Sequence, residues 1–101
     1  MSVFVILDIN VTDWDIFPEY RDSVKPVVEK YGGRYLAKGG EVTTLFGNWD
    51  INRIVIVEFP TKQHLQDCIA SPEYIAAKAI RDRSAQTRAI VVEGTDPDIV
   101  S

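Results

Sequence analysis

Two short runs constrain this chain more than any other feature: Val3–Ile9 and, within Arg53–Phe59, the stretch Ile54-Val55-Ile56-Val57. A strand with one wet face alternates between apolar and polar residues, whereas these runs are apolar at successive positions. In the first, Val3, Val5, Leu7 and Ile9 point one way and Phe4, Ile6 and Asp8 the other. Each run carries a single acid near its C-terminal end, Asp8 or Glu58. Such strands belong in the middle of a sheet, with both faces covered.

Between and after them the pattern changes. From about Trp14 or Ile16 to Tyr31, apolar residues at Phe17, Tyr20, Val24, Val27, Val28 and Tyr31 follow a helical stripe. Asp13 or Asp15 is placed to cap this helix, Pro18 suits its first turn, and Pro26 predicts a kink. Gly32 or Gly33 supplies the left-handed residue that ends it. Arg34–Lys38 reads as a strand, Gly39-Gly40 as a bulge or bend, and Glu41–Phe46 as the strand's continuation. Gly47–Asn52 is a turn by composition. After Pro60, Thr61 can cap a helix from Lys62 to about Ala70, with Leu65, Cys68 and Ile69 inward. Ser71-Pro72-Glu73 starts a further helix to about Arg83, burying Tyr74 or Ile75, Ala77 or Ala79, and Ile80. Thr87–Glu93 is the last strand, and residues 95–101 form a C-terminal tail.

The order βαββαβ is the ferredoxin-like arrangement. It predicts one α+β domain over residues 1–94, with a four-stranded antiparallel sheet and its helices on one face. The first and third strands are expected side by side in the middle, parallel to each other. Helices on one face leave the apolar residues of the other face in need of cover. A second copy of the same sheet is the simplest cover, which predicts a homodimer in the form of a dimeric α/β barrel.

Composition narrows the function. A chain of 101 residues fits one domain, and 46% hydrophobic content fits a globular one. No apolar run approaches the roughly 18 residues of a membrane helix, and Met1-Ser2-Val3-Phe4 lacks the basic start of a signal peptide. A cytoplasmic location is the expectation. A net charge of −4, with the eleven Lys and Arg spread along the chain, argues against nucleic acid. One cysteine, Cys68, and one histidine, His64, do not make a dedicated metal site. There is no dinucleotide fingerprint, P-loop or nucleophile elbow, and no tightly bound cofactor is expected.

Several stretches are more particular: Tyr31-Gly32-Gly33-Arg34-Tyr35, Gly47-Asn48-Trp49, Val57-Glu58-Phe59-Pro60, Ser71-Pro72-Glu73-Tyr74, and the closing Val92-Glu93-Gly94. Together with Arg53 and Arg81 they resemble domain-of-unknown-function family 1330, within the dimeric α/β-barrel superfamily. The resemblance runs from Val3 to Gly94. It implies a ferredoxin-like protomer whose sheet faces that of a second copy. It implies no reaction, since the family has none established. More distant relatives include cofactor-independent monooxygenases, lactone isomerases and haem-dependent enzymes. The chain departs from the family pattern at Cys68 and Ile69, where bulky aromatics are common, and at Pro18 and Pro26.

Six residues are candidates for chemistry, each with a structural alternative. Asp8 and Glu58 lie on adjacent central strands; paired carboxylates split their pKa values and serve as acid and base, or each pairs with an arginine. His64 is the one ready general base near neutral pH, or an ordinary surface histidine. Arg34 and Arg81 are candidate ligand-binding cations, since a guanidinium selects a carboxylate or enolate; the alternative is a structural ion pair, which is the preferred reading for Arg53 and Arg88. Tyr74 is a candidate pocket residue, or core. Three functions follow: a protein that binds or transforms a small organic acid or enolisable molecule, a non-catalytic dimeric module, or a haem-linked enzyme like the distant relatives.

Overall fold

The two apolar runs take the centre of a four-stranded sheet. The computed structural model describes residues 1–95, so residues 96–101 of the tail lie outside the described residues. Its elements are β1 (Val3–Val11), α1 (Phe17–Lys30), β2 (Arg34–Lys38), β3 (Ile54–Phe59), α2 (Lys62–Ala70), α3 (Pro72–Ser84) and β4 (Ala85–Glu93). The strand order is β2-β3-β1-β4, and every neighbouring pair is antiparallel. The expected parallel pairing of the first and third strands is therefore corrected. The crossover through α1 makes β1 and β2 run the same way, and β3 returns antiparallel to β2 and thus to β1.

One face of the sheet packs on the helices. Val3, Leu7 and Ile9 of β1 and Val55, Val57 and Phe59 of β3 are buried there against Phe17, Tyr20, Val24, Val27 and Val28 of α1. Phe17, 1% exposed, is among the most enclosed side chains; burying a phenyl group of this kind contributes about 2–3 kcal/mol. The other face presents Phe4, Ile6, Ile54 and Ile56, all half-buried, with Ile90 and Val92 exposed.

The helix ends follow local chemistry. Gly33 N–H donates to the Val28 carbonyl and Gly32 N–H to that of Glu29, with Gly32 at φ +82°. That is a Schellman ending, which needs the left-handed residue the glycine supplies. Thr61 Oγ1 accepts the His64 N–H, and Ser71 Oγ accepts the Tyr74 N–H, so both predicted caps form. The first helix differs: its cap is Ile16, without a side-chain bond, and Asp13 instead accepts the Asp15 N–H ahead of the helix. Pro18 falls in the first turn, and Pro26 sits exposed inside α1. In the later helices Tyr74 and Ala77 turn inward, whereas Ile69 and Ile75 are exposed.

Two features of β2 differ from the sequence reading and matter for function. The strand carries a bulge between Tyr35 and Ala37: Tyr35 faces Val57, yet Lys38 faces Val55. One extra residue changes the alternation, so Tyr35 and Lys38 share the helix side, with the Lys38 ammonium 4.8 Å from the Tyr35 ring centre. The chain then leaves the sheet. Residues Glu41–Phe46, expected as strand, are an exposed excursion with Leu45 and Phe46 about 85% exposed. Beyond Gly39, at φ +74°, no partner strand among the described residues is there to pair with it.

Candidate functional site

A cavity of about 80 Å³ lies between the helix side of the sheet and the helices. Val5, Leu7, Val55 and Val57 form its floor, Phe17 and Val24 of α1 and Leu65 and Cys68 of α2 its walls. Three phenols, Tyr20, Tyr35 and Tyr74, also line it. The small size suits a single ring or a short branched chain rather than a drug-sized molecule.

The polar lining is cationic. Arg21, Lys38 and Arg53 line both this cavity and an outer depression bounded by Asp22, Lys25 and Pro26, so they stand at the junction of the two. Each arrives by a different local device. Arg21 follows Tyr20 on α1 and lies over the Trp14 and Phe17 rings, 5.8 Å from each centre. The bulge turns Lys38 inward. Arg53 immediately precedes β3, and its guanidinium occupies the space beside Gly39 that a side chain there would fill. Among the described residues, none of the three pairs with a carboxylate within 4.0 Å, and the Arg53 Nε is buried without a partner. In a chain where acids outnumber bases, three unpaired cations on one apolar cavity call for an anion. Among the described residues, no carboxylate or imidazole lines the cavity.

The sequence candidates separate into two sets. Tyr74 lines the cavity, and Arg81 lies behind it, its Nη1 3.2 Å from the Tyr74 hydroxyl and 3.5 Å from that of Tyr20. The other four lie elsewhere. Asp8 and Glu58 share the outer sheet face, but Asp8 is opposite Ile54 and Glu58 opposite Phe4. Four residues of strand put them about 13 Å apart, too far to share a proton. Asp8 is buried and accepts the backbone N–H groups of Asn52 (2.9 Å) and Arg53 (3.2 Å) and the Arg88 Nε (3.0 Å). Burial alone would raise its pKa; these donors outweigh burial and lower it. Arg88 also donates to the Asp50 carbonyl, so Asp8 and Arg88 together tie down the end of the excursion. Glu58 accepts from Arg34 Nε at 2.8 Å, and the Arg34 bond, aided by Ser2, lowers its pKa. His64 is exposed on the first turn of α2, its Nδ1 2.6 Å from Thr61 Oγ1, outside the cavity.

Sequence reasoning missed Arg21, Lys38 and Tyr20 as cavity residues and preferred a structural role for Arg53. The Gly39-Gly40 pair was the available signal for Lys38 and Arg53, since it marked irregular backbone there. Burial pushes the Cys68 thiol up to about 11 and raises the Tyr35 phenol as well, so neither is ionised near neutral pH. Among the described residues there is no cluster of three His, Cys, Asp or Glu able to hold a metal ion, and no helix is long and apolar enough to cross a membrane. A haem does not fit the residues present: the single histidine does not line the cavity, and the cavity is far smaller than the macrocycle.

A helix-backed antiparallel sheet with a cavity between the layers defines an α+β protein of the ferredoxin-like class. The chain belongs to the family described as domain of unknown function (DUF1330), whose model matches residues 2–95. No curated protein matches it. Among solved structures it is similar to RPA0582, a protein of unknown function from Rhodopseudomonas palustris: 20% identity, 95% of this chain and 84% of that one, TM-score 0.73. It is also similar to SnoaB, a cofactor-independent oxygenase from Streptomyces nogalater, at 11% identity over 96% of each chain, TM-score 0.68. A third likeness is a dimeric ferredoxin-like protein of unknown function from Thermobifida fusca, at 17% identity over 91% of this chain and 90% of that one, TM-score 0.53. At these identities the likenesses establish the fold.

Proposed function

We propose that this domain binds a small organic acid with an apolar body, without a tightly bound cofactor. The body lies between sheet and helices, and the carboxylate meets Lys38, Arg53 and Arg21. The observation that carries this reading is the set of three cations without carboxylate partners among the described residues on a largely apolar cavity. Tyr74 contacts the ligand and Arg81 supports it from behind. Arg34, Glu58, Asp8 and His64 serve structure: two ion pairs and a helix cap take up their polar atoms. With no carboxylate or imidazole among the described residues on the cavity, the site favours holding an oxyanion over removing a proton.

A second copy of this chain belongs to the same reading. Phe4, Ile6, Ile54, Ile56, Ile90 and Val92 form an apolar face that the protomer leaves uncovered. A sheet from another protomer would bury it, as in the dimeric architecture of the superfamily.

Calorimetric titration with benzoate and with benzyl alcohol tests the ligand reading, since the two share a ring and differ in charge. Benzoate should bind and the alcohol should not. Lys38→Met and Arg53→Met should each weaken benzoate by about tenfold, the scale of one charge-assisted hydrogen bond. Equal affinity for acid and alcohol, or no effect of either substitution, would overturn it.

A further inference from the structure

Arg81 is a buried cation with little to neutralise it. It is 7% exposed, and its one carboxylate neighbour among the described residues, Asp82, lies 3.8 Å away with a half-exposed side chain. Its Nε has no hydrogen-bond partner among the described residues. Its Nη1 reaches two phenol oxygens, those of Tyr74 and Tyr20, and its guanidinium lies 5.5 Å from the Tyr20 ring centre. Burying a charge this way is costly unless its surroundings use it.

The donor count shows what the arrangement offers. Arginine only donates hydrogen bonds. Both tyrosine oxygens therefore accept from Arg81 and keep their own O–H hydrogens to give. Among the described residues, neither hydroxyl donates to a protein acceptor. Tyr20 and Tyr74 both line the cavity. A phenol that accepts from a buried guanidinium is a stronger donor than a free one, because each bond polarises the next.

We infer that Tyr20 and Tyr74, with Arg81 as the residue that positions and polarises them, form a two-donor cradle for an oxygen on the body of the bound ligand. This rests on the acid-binding reading above and narrows it. The ligand class becomes apolar-bodied acids with a second oxygen, carbonyl, enolate or phenolate, away from the carboxylate. Two neutral donors backed by a buried cation stabilise negative charge on such an oxygen more than they stabilise its neutral form.

The test uses a matched pair, benzoate and 4-hydroxybenzoate, on the intact protein and on Tyr20→Phe and Tyr74→Phe, which keep ring and volume. Wild type should bind the hydroxy acid about tenfold more tightly than benzoate, as a site with unpaired donors rewards a new acceptor. In each Phe variant the hydroxy acid should lose most of its advantage over benzoate, the ratio of the two affinities being the readout. The phenolate absorption band of the bound hydroxy acid should appear at lower pH than that of the free acid, and return toward it in the variants. Equal affinity for the two acids without displacement of the band overturns the cradle and leaves the acid-binding reading standing. Parallel loss of both acids in the Phe variants makes the tyrosines mere walls and likewise overturns it. Failure of wild type to bind either acid overturns both.

Discussion

Gly39 and Gly40 are adjacent, yet alanine should act oppositely at the two positions. Gly39 has φ +74°, where an L-residue costs about 1–2 kcal/mol; alanine also lowers the entropy of the unfolded chain, which returns about 0.4–1 kcal/mol. Gly39→Ala should therefore lose about 1 kcal/mol. A Cβ there would also overlap the Arg53 guanidinium and lie 2.7 Å from its Nη2, so the side chain must retreat by about 1 Å. The guanidinium is the free end of a flexible side chain, so its retreat should cost affinity more than stability. Gly40 has no positive φ, and a Cβ there meets nothing within 4 Å, so Gly40→Ala should gain a few tenths of a kcal/mol. The two variants should melt about 6–12 °C apart, given a response of roughly 4–8 °C per kcal/mol in a domain of this size. Benzoate titration should show about tenfold weaker binding in Gly39→Ala and none in Gly40→Ala. Coincident melting curves would refute the backbone argument. A low-melting Gly39→Ala with wild-type benzoate affinity would refute the role of Arg53.

Asp8 should set part of the acid response. Its folded pKa is lowered, so its contribution is present above the ordinary carboxyl value of 3.8 and is lost as pH falls through the folded value. Asp8→Asn should be about 1 kcal/mol less stable by urea unfolding at neutral pH, and the gap to wild type should close toward pH 2; a gap independent of pH would refute the clamp. On the open sheet face, Ile6→Lys or Ile90→Lys should convert a sedimenting dimer of twice 11.4 kDa into a monomer. A wild-type monomer would refute the covered-face argument.

What the sequence disclosed depended on how local the cause was. Helix ends at Gly32, Thr61 and Ser71 rest on contacts within a few residues, and each was legible. So was the element order, because the runs at Val3–Ile9 and Ile54–Val57 admit few sheets. The sense of their pairing was misjudged because it follows from the path through α1, not from the runs themselves. Glu41–Phe46 has strand-like composition but no neighbour to pair with, and composition does not report neighbours. Of the candidates named from the sequence, Tyr74 lines the cavity and Arg81 reaches its hydroxyl, because a helical spacing turned both inward. Lys38 counts as outward by simple alternation, and Tyr20 as one more member of a core stripe.

The extra residue in β2 has a consequence for descent. The side of the sheet that Lys38 takes is counted from Tyr35, and the bulge absorbs one residue of that count. Removing Leu36 would close the bulge and put Lys38 two residues after Tyr35, where plain alternation keeps its ammonium on the helix side, opposite Val55. A relative one residue shorter here would thus keep its lysine at the cavity. In an alignment, a gap at the bulge therefore marks no change of cavity charge.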